Sequence, residues 1–224
     1  ALIGLDYLLA EMGNRNMKAV IYLGNNWIWS GGFAQYVAWV ENDTIPNPFL
    51  QEYTWAEFMN YSARFYSNPE AQEAYKNYVA MLINRENTVT GQLYKNDPTI
   101  MAWQLANEPR PGRGKEGQNN FSVLKKWIKN TAQYIKSLDN NHLVSIGNEG
   151  LAGSMESKEL YKDIHQYKDV DYMTAHLWPL NWQWYDPKKP DSTFPIAKSK
   201  ARGYIQKHIQ FAEKIGKPLV LSEF

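Results

Sequence analysis

Apolar residues fall along this chain in two alternating rhythms. Short runs that are apolar nearly throughout stand at 18–23 (KAVIYL), 99–106 (TIMAWQLA), 142–147 (HLVSIG), 171–176 (DYMTAH) and 218–223 (PLVLSE). Runs of that length and character are expected of parallel strands covered on both faces, because neither side of such a strand meets water. Between them the apolar positions recur at helical spacing, beginning with a helix over 2–15. Thr54 and Glu57 stand at the spacing of a capping box ahead of Phe58, and Asn68-Pro69 joins an N-cap residue to proline at the first helical position. Beyond that start, Tyr75, Val79, Leu82 and Ile83 share one helical face; within 120–138, Leu124, Trp127, Ile128, Ala132 and Ile135 share another. A further long helix over 196–215 stops at Gly216, a residue suited to the left-handed position after a helix.

Strand alternating with helix predicts a parallel sheet, either open or closed into a barrel. An open nucleotide-binding sheet calls for a glycine fingerprint after its first strand, and Gly24-Asn25-Asn26-Trp27 is not one. A barrel places reactive groups at the C-terminal ends of several strands. Polar groups end the strands here: Asn25 and Asn26, Asn107 and Glu108, Asn148 and Glu149, His176, and Glu223. The connections 25–53 and 177–195 are long, carry Trp and Pro, and each follows a strand, which marks both as functional loops.

Composition narrows the function further. A chain of 224 residues, 44% hydrophobic, suffices for one sizeable core. A net charge of +1 gives no reason to expect a nucleic acid or an anionic membrane as partner. The absence of cysteine excludes disulfides and thiolate metal sites, no other spacing resembles a metal site, and no apolar run approaches a membrane span. Aromatic residues are frequent at 14%, and Trp27, Trp29, Trp182 and Trp184 lie in polar, turn-rich stretches. Flat rings of this kind suit the C–H faces of sugars, although burial in a core accounts equally well for any one of them. The chain starts inside a helical pattern and stops directly after a strand, with no leader pattern visible, so the expectation is a single domain over 1–224 truncated at both ends.

Two strand ends carry the candidate chemistry. Glu108 follows an apolar strand and Asn107, and Glu223 closes another strand, so both carboxyls are expected at one mouth of the barrel. Glycoside hydrolysis needs such a pair, one to protonate the leaving oxygen and one to attack or to activate water. Asn107-Glu108-Pro109 after one strand and Ser222-Glu223-Phe224 at the end of a later one resemble glycoside hydrolase family 5. Gly24-Asn25-Asn26-Trp27 with Gly31-Gly32, Tyr36 and Trp39, the run Asn107 to Arg110, and His176-Leu177-Trp178-Pro179 with Asn181-Trp182 resemble its mannanase-like members. The resemblance implies a (β/α)8 TIM barrel, here a partial one covering barrel strands 3 to 7, in an α/β fold.

It also implies roles for individual residues. Asn107 would bind the 2-hydroxyl of the cleaved sugar, Glu108 would act as general acid and then general base, and Glu223 would be the nucleophile. His176 would sit between the carboxylates, Arg110 would hold sugar on the leaving-group side, and Asn26, Trp27, Trp178 and Trp182 would contact substrate. At position 178 the family more often carries Tyr, whose hydroxyl contacts the nucleophile; Trp178 offers an indole N–H instead. The expected activity is endo-acting, retaining hydrolysis of β-1,4-mannosidic bonds in mannan, glucomannan or galactomannan, without a cofactor. It would be carried out by a monomer outside the cytoplasm. A β-1,4-glucanase on the same fold and a non-catalytic carbohydrate-binding barrel remnant are the alternatives. The negative charge of Glu223 is expected to raise the pKa of Glu108. His142, His165 and His208 read as structural or solvated, Glu149 as structural with a place on the cleft border as the lesser alternative because it ends a strand, and 111–115 as a mobile loop.

Overall fold

The computed structural model describes residues 1–224. Five short parallel strands form the centre: β1 (Ala19–Tyr22), β2 (Ile100–Gln104), β3 (Leu143–Ser145), β4 (Met173–His176) and β5 (Leu219–Glu223). β2 pairs with β1 on one side (Ile21 opposite Trp103) and β3 on the other (Trp103 opposite Val144), while β4 pairs with β5 (Thr174 opposite Val220). A parallel bridge between Ser145 and Tyr172 joins the two groups, so the strands follow one another in chain order. That is the order in which strands follow round a (β/α)8 barrel, and β1 and β5 are the open edges.

The helices between the strands are α1 (Leu2–Asn14), α2 (Gly32–Glu41), α3 (Trp55–Ala63), α4 (Pro69–Ile83), α5 (Gly114–Asn119), α6 (Phe121–Leu138), α7 (Lys158–His165) and α8 (Pro190–Ile215). The capping box forms as expected: the Glu57 amide donates to Thr54 Oγ1, and the Thr54 amide donates to the Glu57 carboxylate. Asn68 Oδ1 accepts from the Ala71 amide at 3.0 Å ahead of Pro69. The four apolar residues singled out on α4 and the five on α6 are all buried. They meet α2, α3 and the outer face of β1–β3 in the main core, where Phe33 stacks on Phe65 at 4.3 Å. A buried polar knot adds to it: Asp6 of α1 accepts from Arg85 Nε, Thr88 Oγ1 and the Tyr94 hydroxyl. It ties the first helix to the segment leading into β2.

Several expectations need correction. The connection 25–53 contains α2, and α8 starts at Pro190, ahead of position 196, with Pro195 inside it. α7, with Ser157 as its N-cap, has no counterpart in the periodicity because only eight residues form it. The stretch 109–112 is buried, Gly114 opens α5, and the Arg113 amide donates to Asn60 Oδ1, so this segment is packed against α3 instead of forming a mobile loop. Gly112 fits there because its φ is 107° and a Cβ would meet Asn60 Oδ1 at 2.6 Å. β2 and β4 are covered on both faces, whereas β5 is half-buried, as an edge must be.

Candidate active site

The mouth of the sheet assembles from strand ends. The parallel ladder continues past β2: the Asn107 amide donates to the Gly24 carbonyl and the Glu108 amide to the Gly147 carbonyl, both at 2.9 Å. Gly147 must be glycine, since its φ is 79° and a Cβ would lie 2.0 Å from the Ala106 carbonyl oxygen. Glu108 itself has φ 51°, in the left-handed region. A non-glycine residue held there is uncommon and costs roughly 1 kcal/mol, a strain that tends to gather at functional sites. His176 ends β4 and stands opposite Glu223 at the end of β5, where the register shifts.

These three side chains form one cluster. His176 Nδ1 lies 2.6 Å from Glu108 Oε1 and 3.1 Å from Glu223 Oε2. One ligand-capable atom from each of the three residues lies within 4.8 Å of the other two. A carboxyl pair about 5–5.5 Å apart is the spacing of retaining enzymes, against roughly 6.5–9.5 Å for inverting ones. Three such groups could also hold a cation, but a proton on His176 serves both carboxylates from the same place. Burial alone would lower the His176 pKa; its hydrogen bonds to Glu108 and Glu223 outweigh that and raise it.

Glu108 is 5% exposed and behaves differently from the sequence expectation. Burial pushes its pKa up, yet the hydrogen bond from His176, the charge of Arg110 and the indole of Trp27 together hold it below the usual carboxylate value. Trp27 Nε1 donates to Glu108 Oε2 at 2.7 Å, and Arg110 Nη2 lies 3.9 Å from the same oxygen. In the resting site the shared proton therefore belongs to His176.

The cluster opens into a cleft of about 1060 Å3. Of the sequence candidates, Trp27, Asn107, Glu108, Arg110, Trp178, Trp182 and Glu223 line it, and His176 is buried behind the two glutamates. Asn26 is not among the lining residues, and its side chain is fully buried. Trp178 lines the cleft, while the hydroxyl that reaches Glu223 is that of Tyr22 on β1, 3.4 Å from Oε1. Burial and the Glu223 charge push the Tyr22 phenol up to about 12, so it stays a donor. Trp184 packs against Trp182 and Tyr204 outside the lining.

Sequence reasoning singled out the Trp29 ring but passed over its aromatic neighbours in the lining. Trp29 (61% exposed) stacks on Trp27 at 5.2 Å, with Trp55 and Phe49 beside them. Glu149 is 2% exposed, pairs with Arg110 and accepts from Trp182 Nε1. Its place at a strand end was the available signal. His142, His165 and His208 are buried and hydrogen-bonded within the scaffold, on Asp139, the Tyr161 carbonyl and the Leu151 amide respectively.

A strand-ordered barrel segment with a Glu–His–Glu cluster at its C-terminal mouth defines a glycosidase-like class of site. Residues 1–224 match the family described as GH family 5 beta-mannosidase-like. The chain belongs to that family. It is 34% identical to mannan endo-1,4-beta-mannosidase 1 of Arabidopsis thaliana over 99% of its own length and 51% of the relative's. Against mannan endo-1,4-beta-mannosidase 5 of Solanum lycopersicum the identity is 33%, over 99% and 51%. Among solved structures, a glycoside hydrolase family 5 mannosidase from Rhizomucor miehei superimposes with a TM-score of 0.88 at 39% identity, covering 100% of this chain and 51% of that one. The endo-beta-1,4-mannanase from Thermotoga petrophila gives 0.72 at 32%, covering 98% and 44%. The chain thus spans about half the length of the relatives it matches.

Proposed function

We propose that this chain carries the catalytic carboxylates of a retaining, endo-acting glycoside hydrolase that cleaves β-1,4-mannosidic bonds in mannan, glucomannan or galactomannan. The observation that carries the reading is the meeting of Glu108 and Glu223 on one nitrogen of His176, at the floor of an aromatic-lined cleft. The names of its relatives support mannan over glucan as substrate.

The cluster supports a balanced double displacement. His176 starts as an imidazolium facing two carboxylates, with its transferable proton on Nδ1, 2.6 Å from Glu108, and a second proton on Nε2. That proton passes to Glu108 and from it to the leaving oxygen, while Glu223 attacks the anomeric carbon and becomes a neutral ester. His176 is then a neutral imidazole that keeps its Nε2 proton, and Glu108 is an ionised carboxylate ready to take a proton from the attacking water. Hydrolysis of the ester returns the carboxylate to Glu223 and the proton to the Glu108–His176 pair. Asn107, whose buried Oδ1 has no partner within the chain, remains able to accept from a sugar hydroxyl beside the reacting carbon. Trp27, Trp178 and Trp182 offer ring faces to the sugars.

Initial rates of the intact protein on galactomannan, glucomannan and carboxymethylcellulose test the substrate. Faster turnover of the mannans supports the reading, and faster turnover of carboxymethylcellulose contradicts it.

A further inference from the structure

Five charged or titratable side chains run through the floor of the cleft: Glu149, Arg110, Glu108, His176 and Glu223. The displacement uses the last three. Glu149 and Arg110 are left over, and both are buried. Arg110 Nη2 is paired with Glu149 Oε2 and lies 3.9 Å from Glu108 Oε2, so one cation stands between two carboxylates and sides with the one that does not react. Glu149 is fixed for this task. Trp182 Nε1 donates to its Oε1 at 3.3 Å, and the Tyr204 hydroxyl of α8 donates to its backbone carbonyl at 2.8 Å. The Arg110 guanidinium lies over the Trp27 ring at 4.9 Å, the same ring that touches Glu108.

We propose that Glu149 is a positioning residue for the acid/base: by holding Arg110 to itself, it keeps the guanidinium from closing on Glu108 and so lets Glu108 take up from His176 the proton it must deliver. The inference rests on Glu108 being the acid/base. An opposite charge within about 4–6 Å of a carboxyl lowers its pKa by roughly 1–3 units, and more as it approaches. Arg110 already pulls Glu108 down from its present distance. A direct pair would hold the carboxylate ionised and the leaving oxygen without an acid. Glu156, an exposed carboxylate on the same cleft wall, is not among the charges that act on Arg110. His176 from β4 and Arg113 at the start of α5 are cationic or repel it. Tyr66 and Tyr204 are phenols whose pKa burial raises, so they stay neutral. Glu223 on β5 is engaged with His176 and Tyr22.

The test is the pH profile of kcat/KM of the intact enzyme on a mannoside with a poor leaving group. Its basic limb reports loss of the proton held by Glu108 and His176. Glu149→Gln should move that limb down by about one pH unit or more. The shift should vanish on an aryl mannoside whose leaving group needs no acid. Arg110→Gln should move the limb up, and the double variant should match Arg110→Gln alone, because Glu149 acts only through Arg110. A basic limb unmoved in Glu149→Gln, with KM raised instead, makes Glu149 a sugar contact and overturns the proposal. So does a double variant displaced from Arg110→Gln; this comparison decides the matter even if Glu149→Gln alone fails to fold. A basic limb that persists in Glu108→Gln refutes the acid/base assignment itself, separately from the result at Glu149.

Discussion

Glu108 and Glu223 are alike in sequence context but differ in surroundings, and on that difference rest the two roles proposed for them. Glu108 is buried and met by an imidazole, an indole and a guanidinium, whereas Glu223 is more open and met by His176 and Tyr22. Replacing Glu223 by Gln should abolish turnover while oligosaccharide binding stays within about tenfold, since the amide keeps the shape but cannot attack carbon. Glu108→Gln should still form the glycosyl intermediate from a substrate with a good leaving group, then stall, and added azide should restore turnover. Azide rescue of the Glu223 variant in place of the Glu108 variant would exchange the two assignments. Glu108, Glu223, His176 and Asn107 were legible as polar residues directly after apolar strands, where a barrel exposes them. The Arg110–Glu149 pair was not, because it joins the ends of two strands 39 positions apart and nothing in either local run reports the other. The lowered pKa of Glu108 also escaped the sequence, since it depends on three neighbours converging from separate elements.

Among the elements, α7 and α8 carry the clearest pH liability. His165 is fully buried, and burial pulls its pKa down to about 3; the same cause brings His208 to about 4. Unfolded histidine titrates near ~6.5, so below that pH the unfolded chain binds protons that the folded one refuses. This stability is present above about pH 6.5, is lost as pH falls, and levels off only near the folded values. At pH 5 the loss should be on the order of 1–2 kcal/mol for each histidine. Urea midpoints of the intact protein between pH 7 and 4.5 check this, and His165→Phe should flatten the slope. A midpoint that does not change over that range would mean that these rings titrate in the fold as they do in the unfolded chain. Helices with a strong start signal were legible in the sequence, as Thr54–Glu57 and Asn68–Pro69 demonstrate. The short α7 was not, because a helix of eight residues owes its stability to packing more than to pattern.

At the scale of the whole molecule, the strand order places β1 and β5 as open edges with unpaired backbone groups. Their inner faces are part-exposed, including Tyr22 and Val220. Net stability of a domain is only about 5–15 kcal/mol, and apolar burial contributes about 25 cal/mol per Å2, so a modest area left bare offsets most of it. Residues 1–224 expressed alone should therefore lack a cooperative thermal transition and hydrolyse no mannan; a sharp transition with turnover near that of the intact protein would contradict this. The alternation of strand and helix made the barrel legible, while the edges became visible only once register and burial were known. The retaining displacement at Glu223 is tested most directly by trapping. The intact enzyme is treated with a 2-deoxy-2-fluoro mannoside bearing a good leaving group, digested, and mapped by mass spectrometry. The expected result is a single fluorosugar ester on the peptide carrying Glu223, at Glu223. An ester on Glu108, or continued turnover with no ester on any carboxylate, would contradict the account.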